Sequence, residues 1–271
     1  GAAMKKIKNP LIRRIPKELI GDWKKYLVVF LFLVLTIGFV SGMYVANESM
    51  ITSANEGVTK YKQEDGHFEL KKQADATLLS AIETGEKADF KATKTTLYEN
   101  FFRNEEEDYN NDGKKDGTIR VFAKTKDINL ACMLQGSFPQ KADEIAIDRM
   151  HADNVGIKVG DTVTVSGETY KVVGLLAYVN YSTLHEKTTD LMFDALKFDV
   201  AMVTQDGFDR LHKSIHYTYA WKYETEPADE AGEKTRSDNF MRALPLHREV
   251  LCAVRTIRFW KIHTAQYYRR H

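Results

Sequence analysis

The stretch KKYLVVFLFLVLTIGFVSGMYVANES, residues 24–49, decides how the rest of the chain is read. From Tyr26 to Ala46 it holds 21 residues without a charge. At a helical rise of ~1.5 Å per residue such a run reaches roughly 30 Å, the thickness of a bilayer's hydrocarbon core. A signal-peptide apolar region is shorter, about 7–15 residues, and ends in a small-x-small cleavage pattern. Here the run continues past Gly38 with no A-x-A pattern. The reading is a retained transmembrane helix over 26–46, with cleavage near Ala46 as the alternative.

Charge sets its direction. Lys5, Lys6, Lys8, Arg13, Arg14, Lys17, Lys24 and Lys25 precede the span against Glu18 and Asp22, a net +6. Basic flanks stay cytoplasmic, so the N-terminus is expected inside a bacterial cell membrane and everything after Asn47 outside it.

Working back from the span, LIRRIPKELIGDW places Leu11, Ile15, Leu19 and Trp23 at successive i+4 positions, one apolar helical face. A basic amphipathic segment of this kind suits the cytoplasmic headgroup layer; an irregular basic leader that merely obeys topology is the plainer account. Inside the span, Gly38, Gly42 and Ala46 form a small-residue stripe of the kind that lets a second helix approach closely, although glycine is also simply common in membrane helices.

Working outward, NESMITSANEGVTKYKQ keeps apolar residues at Met50, Ile51, Ala54, Val58 and Tyr61, so the helix is expected to continue as a stalk. Beyond it, GHFEL, TIRVFAKT, FDVAMVT and HYTYAWKYE read as strands, TKTTLYENFFR as β-rich, and ADATLLSAIET and QDGFDRLHKSI as helices. Strands and helices intersperse without βαβ regularity or repeats, which makes the exported part α+β. The expected organisation is a cytoplasmic leader (1–25), the transmembrane helix (26–46), an extracytoplasmic domain (47–225), and a linker or solvent-exposed helix followed by an atypical basic tail (226–271).

The overall charge of +1 averages dissimilar segments and supports no claim of nucleic-acid binding. The two cysteines, Cys132 and Cys252, give no disulfide framework, as fits an exported bacterial domain, though a single bond between them is open. The acidic turn DYNNDGKKDG offers Asp108, Asn110, Asp112 and Asp116 at the first, third, fifth and ninth positions of a calcium loop. Its twelfth position is Ile119 where a bidentate Glu is required, so an Asn/Asp/Gly hairpin loop is preferred over weak calcium binding. His212 and His216, with Asp209, have helical ligand spacing but make a weak metal signal. His67, His151 and His185 have no ligand-spaced partners and read as surface or packed residues. No phosphate-binding loop, nucleophile elbow, H-E-x-x-H or Cys-x-x-Cys is present, so no catalytic residue or cofactor is assigned and a non-catalytic domain is expected.

The order of parts, with GSFPQKADEIAID, GIKVGDTVTV and YKVVGLL, resembles the N-terminal half of an FtsX-like (MacB-type) permease of an ABC transporter with its extracytoplasmic core domain. The residues carrying the resemblance are Gly136 with Pro139, Glu144 with Ile145, Lys158 with Gly160 and Asp161, and Tyr170 with Val172, Val173 and Gly174; Ser137 stands where the family usually has Arg. Physically these look structural: a turn at Gly160 and Asp161, a stiffened entry at Pro139, a bulge or close approach at Gly174. The resemblance implies a mechanical role. Paired permease subunits would sit in the lipid bilayer, a cytoplasmic ABC ATPase would bind them, and its motion would pass through the stalk to the outer domain. It covers roughly residues 10–225. The family carries three further spans after this domain, so a truncated or frame-shifted product is expected. A single-span anchored ligand-binding or sensor module is the competing reading.

Overall fold

The computed structural model describes residues 21–85, 90–181, 184, 194–225, 227–244 and 249–255. Leu11, Ile15 and Leu19 of the leader lie outside these residues, as do His185 and the chain past 255. The chain divides into two units, residues 1–54 and 55–271.

The described part of the first unit is helical. Helix α1 (Trp23–Lys60) begins there, and its Trp23–Ser49 segment holds an 18-residue window of mean hydropathy 2.4 with no residue buried. A helix apolar all round suits lipid rather than one face of a soluble core. The hydroxyl of Thr36 donates to the carbonyl of Phe32 at 2.8 Å, so even its polar atom is satisfied within the helix. No atom lies within 4 Å of where a Cβ would stand on Gly38 or Gly42.

The second unit opens with the last turns of α1 and contains two sheets. The smaller has the order β11 (Val250–Arg255), β1 (Gly66–Leu70), β10 (Tyr217–Tyr223), β2 (Thr95–Glu99), antiparallel throughout. Alternation along β1 sends Phe68 and Leu70 inward. There they meet Tyr219, Trp221 and Tyr223 of β10, Ile82 of helix α2 (Ala76–Glu83), Phe90, and Phe240 and Leu244 from helix α5 (Glu230–Ala243) and its cap. Aromatic rings fill this core: Phe68 stacks on Tyr219 at 5.7 Å and Phe90 meets Phe240 at 4.3 Å. Asp75 and Asp229 cap the two helices by accepting from the amides of Leu78 and Gly232.

Helix α5 and Val250 of β11 thus pack on a core, within the segment read as a linker or solvent-exposed helix followed by a basic tail. Along α5 the sequence is mostly polar because only Ser237, Phe240, Ala243 and Leu244 turn inward. β11 is an edge strand whose pairing with β1, distant in sequence, has no local signal.

The larger sheet comprises β3 (Phe102–Asp108), β4 (Gly117–Ala123), β5 (Ala131–Gly136), β6 (Glu144–Asp148), β7 (Thr162–Val165), β8 (Glu168–Tyr178) and β9 (Phe198–Val203). Its order is β5-β8-β6-β9-β4-β3-β7, and β7 pairs again with β8, closing six strands into a ring. The 11 residues of β8 make closure possible, because its first part pairs with β7 and its last part with β5. Pairs β4–β9 and β6–β8 are parallel. Every residue of β9 is buried, as expected of a strand covered on both faces. Ile119, Val121, Ile145, Val163, Val172 and Val203 make up much of the barrel core, plugged by Ala152 of helix α3 (Arg149–Val155) and Phe208 of helix α4 (Gln205–Asp209).

Both β6 and β5 shift register against β8 near Gly174. A Cβ on Gly174 would stand 2.5 Å from the Ser137 carbonyl oxygen and 2.7 Å from the Met133 sulfur. Gly174→Ala is therefore expected to cost about 2–4 kcal/mol. At Gly57, in α1, a Cβ would make ordinary contact with Val179 at 3.8 Å, so Gly57→Ala should gain roughly 0.5–1 kcal/mol. Thermal melts of the two variants should move in opposite directions.

Candidate functional site

The foot of helix α1 is the point in the second unit where most polar contacts converge. The helix ends at Lys60, and Lys62 takes a left-handed turn at φ 48°. Residues 61–65 then bond to both sheets. The carbonyls of Tyr61 and Lys62 accept from the amides of Leu130 and Asn129, at 2.8 and 3.1 Å, in the loop between β4 and β5. The Glu64 amide donates to Asn129 Oδ1 at 3.0 Å, and Asn129 Nδ2 donates to Glu64 Oε2 at 2.6 Å. Glu64 and Asn129 are both buried, 2% and 3% exposed, so this reciprocal pair is shielded from water. Tyr61 donates its hydroxyl to Cys132 Sγ at 2.8 Å, and burial together with that contact raises the Tyr61 pKa.

On the other side, the amide of Asp65 donates to the carbonyl of Trp221 and the amide of Tyr223 donates to Asp65 Oδ2, at 2.9 and 2.7 Å. Lys222 Nζ donates to the carbonyl of Gln63 at 2.7 Å. Five consecutive residues thus tie the helix end to β10 of the small sheet and to the β4–β5 loop of the barrel. A second tie between the sheets is a stack: His216 lies parallel to Phe102 at 4.6 Å, and the Arg120 guanidinium covers the Phe102 ring at 4.5 Å.

His67 Nδ1 lies 2.7 Å from Glu64 Oε1. Burial alone would lower the His67 pKa, but the Glu64 carboxylate outweighs it and raises it.

The motif residues sit in the barrel. Gln140 and Lys141 donate their amides to Glu144 Oε2, fixing the turn that follows buried Pro139. Lys158 donates its amide to Asp161 Oδ2 at 2.9 Å, and Gly160 takes φ 107° in the turn before β7.

The acidic turn joins β3 to β4 as a hairpin. Its carboxylates are engaged by backbone amides: Asp108 accepts from Asp112 and Gly113, Asp112 from Lys114, and Asp116 from Tyr109. Through these bonds the loop caps itself. Beside it a cavity of about 420 Å³ is lined by residues including Glu106, Lys114, Lys115, His212 and Lys213.

The structure does not bring His212 and His216 to one site. α4 ends at Asp209, which accepts from Gln205 Nε2; His212 faces Glu168 at 3.9 Å, and His216 Nδ1 lies 2.8 Å from Glu69. The helical spacing that would align them is lost when the helix stops. Cys132 and Cys252 are free thiols.

His151, in contrast, has partners far away in sequence. It lies in α3 at 0% exposure beside Glu107 of β3 and Asp199 of β9, also at 0%, and the potential ligand atoms of the three lie within 4.8 Å of one another. His151 Nδ1 and the Ala195 carbonyl are 2.7 Å apart, and Nε2 is 3.4 Å from Glu107 Oε1. Asp199 Oδ1 accepts the amides of Asp148 and Val200 at 3.2 and 2.7 Å. Both carboxyl oxygens of Glu107, Asp199 Oδ2 and His151 Nε2 have no hydrogen-bond partner among the described residues. Burial opposes ionisation of His151, but Asp199 and Glu107 outweigh it and lift its pKa to about 9; burial raises that of Asp199. Spacing in sequence could not reveal this cluster; the signal available was an Asp at the second position of the otherwise apolar strand FDVAMV.

No family model matches the chain, and no curated protein matches it. Among solved structures it is similar to the extracellular domain of the noncanonic ABC-type transporter YknZ from Gram-positive bacteria, at 13% identity and TM-score 0.35, covering 70% of this chain and 100% of that one. It is also similar to the periplasmic region of MacB from Actinobacillus actinomycetemcomitans, at 10% identity and TM-score 0.39, covering 76% of this chain and 92% of that one.

Replacing Asn129 by Leu removes two buried hydrogen bonds of Glu64, so Asn129→Leu should destabilise the domain by about 3 kcal/mol. Hydrogen exchange at residues 61–66 should accelerate first. The His67–Glu64 contact predicts a pH signature. A raised folded-state pKa gives stability that is full below the ordinary His value of 6.5 and is lost as pH rises through the raised value. His67→Gln should flatten that part of the stability profile measured by denaturant titration.

Proposed function

We propose that the chain is a membrane-anchored extracytoplasmic domain of the FtsX-like (MacB-type) permease kind, coupling work by a cytoplasmic ABC ATPase to movement outside the membrane. The observation that carries the reading is the course of α1. One helix runs from Trp23, through an apolar segment long enough to span a bilayer, to Lys60. It ends in the clamp of residues 61–65 rather than in a flexible linker. A helix passes displacement along its axis, whereas a Gly/Ser-rich tether does not. The motif residues Pro139, Glu144, Gly160, Asp161 and Gly174 support the same reading through turn and packing roles.

In this proposal the N-terminus is cytoplasmic because of the +6 flank, and the leader face of Leu11, Ile15, Leu19 and Trp23 is the elbow near the ATPase. Gly38, Gly42 and Ala46 form a seam with a second permease subunit, identical or different. Work on a lipid, peptide or envelope enzyme would then be done by the outer domain without a catalytic residue of its own.

The test is co-expression with the ATPase encoded beside it and purification through a tag on the chain. Recovery of a stable complex is expected, and Gly38→Leu with Gly42→Leu should lower the recovery of paired subunits several-fold. Absence of any ATPase partner, with the chain recovered alone and intact in the membrane, would overturn the permease reading. With Cys132 and Cys252 replaced by Ser, thiol labelling of a cysteine placed at Lys71 should succeed from outside intact cells, and of one placed at Lys8 should not.

A further inference from the structure

We propose that Glu107, His151 and Asp199 form a divalent transition-metal site, with Zn²⁺ the best-matched ion, that pins α3 to strands β3 and β9 at one end of the barrel. The argument begins with the orphaned atoms. Four oxygen and nitrogen atoms, both of Glu107, Asp199 Oδ2 and His151 Nε2, are buried without a hydrogen-bond partner among the described residues. Burying such an atom without a partner is costly, and an unpaired charge more so. Four facing one another are an arrangement that a bound cation would satisfy together.

The geometry around them is that of oriented ligands. His151 Nδ1 lies 2.7 Å from the Ala195 carbonyl oxygen, so in the neutral ring Nδ1 carries the proton and donates it. Nε2 then holds its lone pair toward Glu107 Oε1, 3.4 Å away. With Nε2 protonated this contact is an imidazolium–carboxylate pair, and a divalent cation between the two atoms would take the place of that proton. Asp199 is held likewise: its Oδ1 accepts two amides, and Oδ2 remains. Outer contacts of this sort, a backbone carbonyl on the imidazole and amides on the carboxylate, fix the ligands of protein metal sites.

Charge and distance agree. Two carboxylates and a neutral imidazole carry −2, which one divalent ion balances. In a tetrahedral zinc site with bonds of ~2.0–2.2 Å, neighbouring ligand atoms lie roughly 3.4 Å apart. The His151–Glu107 pair has that separation, 3.4 Å, and no pair of the three exceeds 4.8 Å, a gap that side-chain rotation closes. One nitrogen and two carboxylates suit zinc better than calcium or magnesium, which take oxygen ligands only. With no thiolate in the set, the site is redox-independent. The role is structural: three residues from elements far apart in sequence would be tied at the end of the barrel.

The test uses the full chain in detergent, stripped with a chelator and titrated with Zn²⁺ and, separately, Co²⁺. One Zn²⁺ per chain is expected, with a thermal midpoint that rises on Zn²⁺ addition. The near-isosteric Glu107→Gln and Asp199→Asn variants should weaken binding by at least about 10-fold. His212→Gln and His216→Gln should leave it unchanged. If the buried variants do not fold, X-ray absorption of the Zn²⁺-loaded wild type decides, since one imidazole among oxygen ligands is required. No stoichiometric uptake at millimolar Zn²⁺, equal binding by folded Glu107→Gln, loss of binding in the surface-histidine variants, or a shell without imidazole would each overturn the inference.

Discussion

The reciprocal pair between Glu64 and Asn129 is the constraint on which the rest of the second unit depends. Both side chains are buried, and each satisfies a backbone or side-chain group of the other at 2.6–3.0 Å. A buried polar pair tolerates little slack, because separating it by an ångström strands several groups at once. It fixes where the foot of α1 meets the β4–β5 loop, and Asp65, one residue on, fixes where it meets β10. The small sheet and the barrel are thereby referred to the same five residues.

The two sheets solve the burial problem differently. The small sheet relies on large rings, Phe68, Phe90, Tyr219, Trp221 and Phe240, packed under two helices. Each ring buries a large apolar area, so few residues make a core. The barrel relies on branched aliphatic residues and on closure, which removes an edge that would otherwise be open to pairing. Closure needs β8 to be longer than its neighbours and to change partners midway, and the register shifts beside Gly174 are where that change is made.

Much of this was legible in the sequence, and the limits have physical causes. The apolar run of α1 and the strands FDVAMV and HYTYAWKY announce themselves by length and by apolar or aromatic content, signals that need no knowledge of neighbours. The stalk was legible because apolar residues keep the helical spacing as far as Val58, in the last turn before the helix ends at Lys60. The edge strand β11 and helix α5 were not, because their inward residues are few and their partners lie at the other end of the domain. His212 and His216 had the spacing of ligands, yet spacing acts only while the helix lasts, and the helix ends at Asp209. His151 had no spaced partner and nonetheless meets two carboxylates, because β3, α3 and β9 converge only after the barrel closes.

Two buried glutamates make that last contrast sharper. Glu64 and Glu107 are 2% and 0% exposed. Glu64 is surrounded by donors, Asn129 Nδ2 and the ring of His67, whereas Glu107 has no hydrogen bond to either oxygen among the described residues. A carboxyl that is satisfied by fixed neighbours acts as a joint: its energy depends on the neighbours staying where they are. Glu107, whose Oε1 has a long 3.4 Å contact with His151 Nε2 beside a second carboxyl, would in the proposed site be completed by a cation. The same residue type, at nearly the same burial, is therefore a fixed joint at the helix foot and a candidate ligand at the end of the barrel, and it is partnering, not burial, that separates the two.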